Sequence, residues 1–216
     1  MKAVEALRRV RQVQRAHGVA AGAQALWTTV RRVDELYLIV LSVPRVSQRV
    51  LDEARSHSFR FASPEDLTRI GTSYGDQVGA VDFDFLRRGD RCLLQLEGDQ
   101  LVGFTWIAGS QLVHIEHGFH LNLPDHLAYN YHGFTAPTYR GKAFQAVRHL
   151  RLLELLGSEG KTGLFGFVDR LNFASRRGQA KSGYRQVGKL TFRFHGPRVH
   201  QRLSLEREFW CGERRN

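Results

Sequence analysis

The most informative segment of this 216-residue sequence reads Phe134-Thr135-Ala136-Pro137-Thr138-Tyr139-Arg140-Gly141-Lys142-Ala143-Phe144-Gln145. The pattern predicts a strand over 127–135, a sharp turn and a helix over 142–156. Such a turn presents consecutive backbone N–H groups at a helix N-terminus, and these groups together with Arg140 and Lys142 suit a phosphate. An ordinary surface turn has the same composition, so this segment alone leaves both interpretations open.

A second informative segment follows the next predicted strand, Gly163–Val168. Asn172 begins a helix there, and the helix ends at Lys181-Ser182-Gly183-Tyr184. Asn is a common N-cap residue, and Gly commonly follows the last turn of a helix. The alternation of strands and helices in this half of the chain predicts a mixed α/β domain.

In these two segments the chain resembles the GNAT superfamily of acyl-CoA-dependent N-acyltransferases. Their phosphate loop reads Arg/Gln-x-x-Gly-x-Gly/Ala after the fourth core strand, and Arg140-Gly141-Lys142 matches its start. Their next strand leads into Asn-x-x-Ser/Ala and a helix ending in Lys-x-Gly-Phe/Tyr, as in residues 172–184. The resemblance covers about residues 58–195. It implies a mixed, mostly antiparallel central sheet flanked by helices.

The resemblance also implies which residues contact acyl-CoA. They form the end of the strand, the loop, the helix start and the second motif: Phe134, Thr135, Ala136, Arg140, Gly141, Lys142, Ala143, Phe144, Gln145, Asn172 and Ser175. Backbone N–H groups near 134–136 would hold the oxyanion of the reaction.

Three positions depart from the family pattern. Ala143 stands where Gly is usual and fits the loop if its φ is negative, and Gln145 stands where Gly or Ala is usual. Gln179 stands where a Tyr often protonates the leaving CoA thiolate. The proton source is therefore left open between water and another group, and a protein that binds CoA without catalysis is an alternative.

Acyl transfer to a primary amine needs a base. At pH 7 an amine with a pKa near 10.4 loses its proton at a cost of about 4.6 kcal/mol. His132 is the first candidate because imidazole titrates near neutrality, and Glu116 is the second; a packed or solvated side chain is the alternative for each. The spacing of His114, His117 and His120 is suggestive of metal ligands, but the resemblance requires no metal and we predict none.

The net charge of +11 is unevenly distributed. Residues 1–33 carry seven basic and one acidic residue, residues 56–135 five and ten, and residues 136–216 seventeen and six. The basic last third contains the predicted phosphate contacts, and the acidic middle suits a cationic amine. Nucleic-acid binding would favour aromatic residues interleaved with cations on one face. Phe192-Arg193-Phe194 is such a fragment, but the period-two pattern of a strand explains it as well. Nucleic-acid binding is therefore not expected.

Residues 1–57 are predicted to form a helical extension followed by a strand, and residues 58–216 the GNAT-like acyltransferase domain. The helices over 2–33 carry arginines, which suits packing on the domain or binding to an anionic membrane surface. A membrane surface favours a lipid or envelope amine such as a sphingoid base, as in GNAT-like bacterial ceramide synthases. A small soluble amine, acetylated from acetyl-CoA, is the alternative.

Other signals concern location and the remaining strands. The longest apolar run, Leu36–Val43, is far shorter than the ~20 residues that span a bilayer, and residues 1–33 are too rich in Arg for a secretory signal. Cys92 and Cys211 are interpreted as reduced thiols. We expect a cytoplasmic protein, either free or peripheral on the inner face of the cytoplasmic membrane.

Strands are also predicted at 58–62, 91–97, 100–108, 185–190 and 191–195.

Overall fold

The computed structural model describes residues 33–75, 80–195 and 198–206, together with single positions and pairs between residues 13 and 26. The strands are β1 (Val33–Leu41), β2 (His57–Phe61), β3 (Arg91–Glu97), β4 (Gln100–Ile107), β5 (Leu112–His114), β6 (His120–Asn122), β7 (Leu127–Thr135), β8 (Gly163–Asp169), β9 (Arg185–His195) and β10 (Arg198–Leu205). The α-helices within residues 33–206 are α1 (Gln48–Glu53), α2 (Pro64–Ser73), α3 (Ala80–Arg87), α4 (Phe144–Gly157) and α5 (Phe173–Ser182).

Eight strands form one sheet in the order β10-β9-β1-β8-β7-β4-β3-β2, and β5 and β6 form a separate hairpin. Every neighbouring pair in the large sheet is antiparallel except β7 and β8, which are parallel. The predicted mixed α/β fold with a mostly antiparallel sheet flanked by helices is confirmed.

The strand β1 lies in the interior of this sheet. It pairs with β8 from Leu36 to Leu41 and with β9 from Val33 to Val40. The boundary predicted between residues 57 and 58 therefore does not separate β1 from the sheet that residues 58–195 build.

Most of the N-terminal segment predicted as helical, residues 2–33, lies outside the described residues, and so does Cys211. The predicted contact of that segment with a membrane surface stays a prediction. In the part of the chain that the structure describes, each helix falls short of the length and apolar character that crossing a bilayer requires.

Helices cover both faces of the sheet. Leu94 of β3 packs with Leu67 of α2 in one apolar cluster, and its neighbour Leu93 packs with Leu152 of α4 in another. Because successive strand residues point to opposite faces, α2 and α4 lie on opposite sides. The β5–β6 hairpin contributes Val113 and Leu121 to a third cluster, which covers part of the sheet around β7 and β8.

The helix-boundary signals in the sequence form as expected. Ser63 caps α2 in a capping box, in which its Oγ accepts from Asp66 N–H and the Asp66 carboxylate accepts from Ser63 N–H. Asn172 caps α5, and Gly183 ends that helix in the left-handed conformation with φ +101°. Each signal works because it satisfies backbone groups that the helix end leaves without partners.

Two predicted features are wrong. Residues 185–195 form one continuous strand, because β9 pairs along its length with both β1 and β10 and so has no reason to break at 190. The helix α4 begins at Phe144, two residues later than predicted, and buries Arg148 and His149 completely. Hydrophobic periodicity misses these two residues because their side chains are polar.

Candidate active site

The strands β7 and β8 separate in the middle of the sheet. They pair at only three positions, Leu127↔Gly163, Ala128↔Leu164 and Tyr129↔Phe165. β7 continues for six residues beyond Tyr129 and β8 continues for four beyond Phe165. The facing edges of the two strands are thus left open towards their C-terminal ends, where a ligand can reach backbone groups.

His132 lies in a β-bulge of β7, on this open part of the strand. Phe104 pairs with Phe134 and Trp106 pairs with Tyr131, so β7 holds one extra residue over this interval. His132 has a φ of +45°, a conformation that bulges accommodate and that redirects a side chain. A bulge at this place explains why the side chain of a strand residue reaches the surface.

The His132 ring has one carboxylate beside it. Its Nδ1 lies 3.9 Å from Oδ1 of Asp82, whose side chain is buried, and the ring contacts Phe85 and Phe104 at centroid distances of 6.0 and 5.9 Å. The sequence analysis missed Asp82 because nothing in the local pattern of α3 distinguishes it from Asp84. The arrangement orients an exposed imidazole against a carboxylate.

Glu116, the second predicted base, lies in the 3-10 turn Glu116–Gly118 between β5 and β6. Its side chain is exposed, with Oε2 3.9 Å from Nε2 of His117. Burial and then the negative charge of Glu116 raise the pKa of Tyr129. Tyr129 stacks on Tyr131 at 4.9 Å.

The histidines at 114, 117 and 120 do not converge. The rings of His114 and His120 contact each other at 4.4 Å across the hairpin, whereas Nε2 of His117 lies 3.2 Å from Asp34 on β1. Over the described ranges, no three or more His, Cys, Asp or Glu side chains are grouped as they would be around a metal ion.

The loop between β7 and α4 has an unusual backbone. Pro137–Tyr139 form a 3-10 turn, Gly141 has a φ of +81°, and Ala143, the N-cap of α4, has a φ of +60°. The condition under which alanine fits this position without strain, a negative φ, is therefore not met. A left-handed alanine costs roughly 1–2 kcal/mol, because its Cβ approaches the following carbonyl.

The first turn of α4 is open to an anion. Among the residues that the structure describes, no side chain caps the helix, and its first turn contains no acidic residue. Arg140 and Lys142 are exposed beside it; Arg140 Nε donates to Thr135 O at 3.1 Å, and Lys142 Nζ lies 5.5 Å from the centre of the Tyr139 ring. The helix dipole and both cations favour negative charge at this end.

The edge of β7 that faces β8 exposes the backbone of Thr135. Ala136 N–H donates to Val102 O of β4 at 3.0 Å. Because backbone groups of successive strand residues alternate between the two edges, Thr135 N–H points away from β4 and towards the gap beside β8. Phe134 and Ala136 are buried on either side of it.

The helix α5 lies near the start of α4. Asn172 Oδ1 accepts from Ser175 N–H at 3.0 Å, so its carbonyl oxygen serves as the α5 cap. A Cβ built on Gly178, in the middle of α5, would lie 3.9 Å from Oε1 of Gln145 in the first turn of α4. Oε1 of Gln179 is buried and accepts no hydrogen bond from the described residues.

Comparison with known proteins identifies the fold. No protein-family model matches the sequence, and no curated protein matches it. Among solved structures, this chain is similar to a protein described as a GNAT-family acetyltransferase from Novosphingobium aromaticivorans. The two share 12% identity and a TM-score of 0.50, over 81% of this chain and 66% of that one. A GNAT-family acetyltransferase from Colwellia psychrerythraea matches at 14% identity and a TM-score of 0.52, over 74% and 55%.

This likeness establishes a shared fold. The chain shares the fold of these two GNAT-family structures, and it spans between half and two thirds of their length. The lipid-amine subtype that the sequence suggested has no support from the similar structures.

Proposed function

We propose that this protein transfers an acyl group from acyl-CoA to a primary amine. The observation that carries the proposal is the junction of β7 and α4. There a strand edge without a partner leads through a glycine-containing loop into a helix N-terminus that has neither a capping side chain nor an acidic first turn. A thioester needs hydrogen-bond donors at its carbonyl, and a pyrophosphate needs donors and positive charge, and this junction supplies both side by side.

The phosphates of CoA would bind at the start of α4. Backbone N–H groups of the first helical turn lack intrahelical partners. Arg140 and Lys142 add positive charge from the loop, and Gly141 allows the close approach of backbone to ligand. Asn172 and Ser175 would line the other side through α5, together with Gln145, which lies against Gly178.

The acyl carbonyl would lie against Thr135 N–H. The neutral amine attacks the carbonyl carbon, a C–N bond forms, and the carbonyl π electrons move to oxygen. Collapse of this intermediate breaks the C–S bond and releases the CoA thiolate. One amine proton passes to the base, and the thiolate takes a proton from water, because the amide of Gln179 is not acidic. The hydroxide left by that water takes the proton from the protonated base, so the base is regenerated. The products are an amide and CoA thiol.

His132 is the proposed base. It is on the open part of β7, three residues before Thr135, and the Asp82 carboxylate 3.9 Å from Nδ1 favours the orientation in which Nε2 is available. Glu116 is the second candidate, because its carboxylate is exposed and its negative charge acts on Tyr129. The acceptor is a primary amine whose remaining structure the proposal does not specify.

The first experiment tests binding. Acetyl-CoA at 100 times its Kd should stabilise the protein by about 2.7 kcal/mol, which corresponds to a rise in Tm of roughly 5–10 °C. Desulfo-CoA tests whether the nucleotide part suffices. Native mass spectrometry of the purified protein would identify the acyl chain that it carries. Absence of stabilisation by millimolar acetyl-CoA and palmitoyl-CoA would contradict the proposal.

The second experiment tests turnover and separates an enzyme from a CoA-binding protein. Thiol release with a panel of amines should fall by 100-fold or more in His132→Ala, within the range that general-base catalysis contributes. Glu116→Gln should change it less than threefold. The reverse result would assign the base to Glu116, and stabilisation by acyl-CoA without thiol release for any amine would favour a binding protein.

A further inference from the structure

Arg148 of α4 lies beneath the end of β7 and has no contact with solvent. Its guanidinium makes three hydrogen bonds: Nη2 donates to Phe134 O at 3.0 Å and to Thr135 Oγ1 at 3.2 Å, and Nη1 donates to Gln95 Oε1 at 2.9 Å. Two of these three acceptors belong to the strand segment whose opposite edge is open beside β8.

This cation is buried without a carboxylate partner among the described residues, since no salt bridge within them includes Arg148. Burial lowers the pKa of Arg148 to about 10, so the guanidinium stays protonated at neutral pH. Unpaired buried charge is costly. A helix that needed only a packed residue here would be served by an apolar side chain.

The neighbouring residues are arranged around the guanidinium. A Cβ on Gly103 of β4 would lie 2.6 Å from Nη1 of Arg148 and 2.4 Å from Phe134 O. Glycine at this position therefore leaves room for the guanidinium beside the Phe134 carbonyl. Gln95 presents its oxygen to Arg148 while its Nε2 lies 3.0 Å from Nδ1 of the buried His57. Acceptors on β3 and β7 therefore hold the guanidinium in one place, and β4 leaves room for it.

The key geometric fact is that Phe134 C=O and Thr135 N–H belong to one peptide group. They point to opposite edges of β7. A charge-assisted hydrogen bond to the carbonyl draws electron density away from the N–H end and makes that N–H a stronger donor, since hydrogen bonds polarise one another along a chain.

We infer that Arg148 is a positioning residue for acyl transfer, which fixes and polarises the 134–135 peptide so that Thr135 N–H stabilises the negative charge that develops on the acyl oxygen. The inference rests on the proposed function, because it assumes that an acyl carbonyl lies against Thr135. Arg148 itself does not touch the acyl group, and its charge acts through the peptide.

The test compares Arg148→Met, which keeps much of the length without the charge, with Arg148→Lys, which keeps the charge but not the bidentate geometry. Arg151→Met is the matched control, because Arg151 is an exposed arginine of the same helix that pairs with Glu154. For each variant we would measure four quantities. They are the affinity for acetyl-CoA, kcat and KM for acyl transfer, and the infrared carbonyl frequency of bound [1-13C]acetyl-CoA.

The wild-type protein should shift the thioester carbonyl to lower frequency than in water. Arg148→Met should lose a large part of that shift and should lower kcat by about tenfold, less than the 100- to 1,000-fold typical of deleting a whole donor. Its KM for acetyl-CoA should stay within about threefold of the wild-type value. The frequency shift and kcat of Arg148→Lys should lie between those of the wild type and those of Arg148→Met. Arg151→Met should match the wild type in both.

The possible outcomes are distinguishable. If the wild type does not bind acetyl-CoA, the proposed function fails and this role fails with it. If it binds acetyl-CoA, and Arg148→Met is folded with unchanged frequency and kcat, the role of Arg148 alone is overturned. If Arg148→Met does not fold, Arg148→Gln, which keeps an N–H donor without the charge, decides, since an unchanged frequency in that variant overturns the inference.

Discussion

At the residue scale, Ala143 is the clearest conflict between local preference and the fold. It holds a left-handed conformation at the start of α4, with a φ of +60°, where the family pattern has glycine. The strain persists because the residues around it fix the loop: Arg140 bonds to Thr135 O, and the buried Tyr139 hydroxyl donates to Glu97 at 2.7 Å.

Replacing Ala143 with glycine should therefore not lower the free energy of unfolding. Ala143→Gly relieves roughly 1–2 kcal/mol of left-handed strain and loses about 0.4–1 kcal/mol because glycine makes the unfolded chain more flexible. We expect a free energy of unfolding that is unchanged or higher by up to about 1.6 kcal/mol, measured by urea denaturation without ligand.

Ala146→Gly is the matched comparison for Ala143→Gly. Ala146 lies in the first turn of the same helix with its methyl group buried. Its replacement should lower stability by about 1–2 kcal/mol through helix propensity and lost burial. Equal destabilisation by both substitutions would show that the conformation at 143 carries no strain.

At the element scale, the sequence predicts those elements whose ends carry their own signals. The β3–β4 hairpin forms around Gly98-Asp99, Ser63 caps the start of α2, and Asn172 and Gly183 cap the two ends of α5 as expected. These boundaries are local, because a turn residue or a cap satisfies backbone groups within a few residues.

The sequence could not predict the features that depend on distant partners. The bulge at His132 arises from register with β4, and the burial of Arg148 arises from acceptors on β3 and β7. The carboxylate of Asp82 reaches His132 only because α3 packs near β7. The loop and the helix caps of the candidate site can thus be predicted from motifs, whereas the contacts that support β7 cannot.

The close contact between β4 and β7 predicts how a substitution at Gly103 changes stability. Gly103→Ala would place a methyl group 2.4 Å from Phe134 O and 2.6 Å from Arg148, which forces the end of β7 to move. We expect a loss of about 1–3 kcal/mol in unfolding free energy, as for overpacked interiors. Gly133→Ala in β7 is the control, since a Cβ there would meet its nearest atom at 3.6 Å. Equal stability of both variants would contradict the close approach.

At the scale of the whole molecule, buried histidines tie stability to pH. His149 is fully buried, and neither ring nitrogen has a hydrogen-bond partner among the described residues. Burial, and then the charge of Arg148, lower the pKa of His149 to about 3. Burial also lowers the pKa of His57, so the two residues act in the same direction.

The sign of the effect follows from proton binding. In the unfolded chain a histidine titrates near 6.5, so between pH 6.5 and about 3 the unfolded state binds more protons and stability falls as pH falls. His149 alone should lower the unfolding free energy by about 2 kcal/mol between pH 7.5 and pH 5.

Urea denaturation at the two pH values checks this dependence. His149→Phe should remove that part of the pH dependence and leave the smaller part due to His57. His200→Gln, a change at an exposed histidine of β10, should leave the wild-type dependence intact. A pH dependence that His149→Phe leaves unaltered would mean that His149 is not held neutral in the folded protein.

The place of β1 in the sheet has a consequence for how the polypeptide is made. β1 has neighbours on both sides, β8 and β9, and Leu36 pairs with Asp169 and Leu190. A ribosome therefore delivers this very apolar strand more than 120 residues before either neighbour exists. Pairings of such long sequence separation form slowly and leave strand edges exposed in the meantime. Nascent chains that stop before residue 163 should consequently depend on chaperones to stay dispersed, whereas chains that extend through β9 can bury β1 themselves.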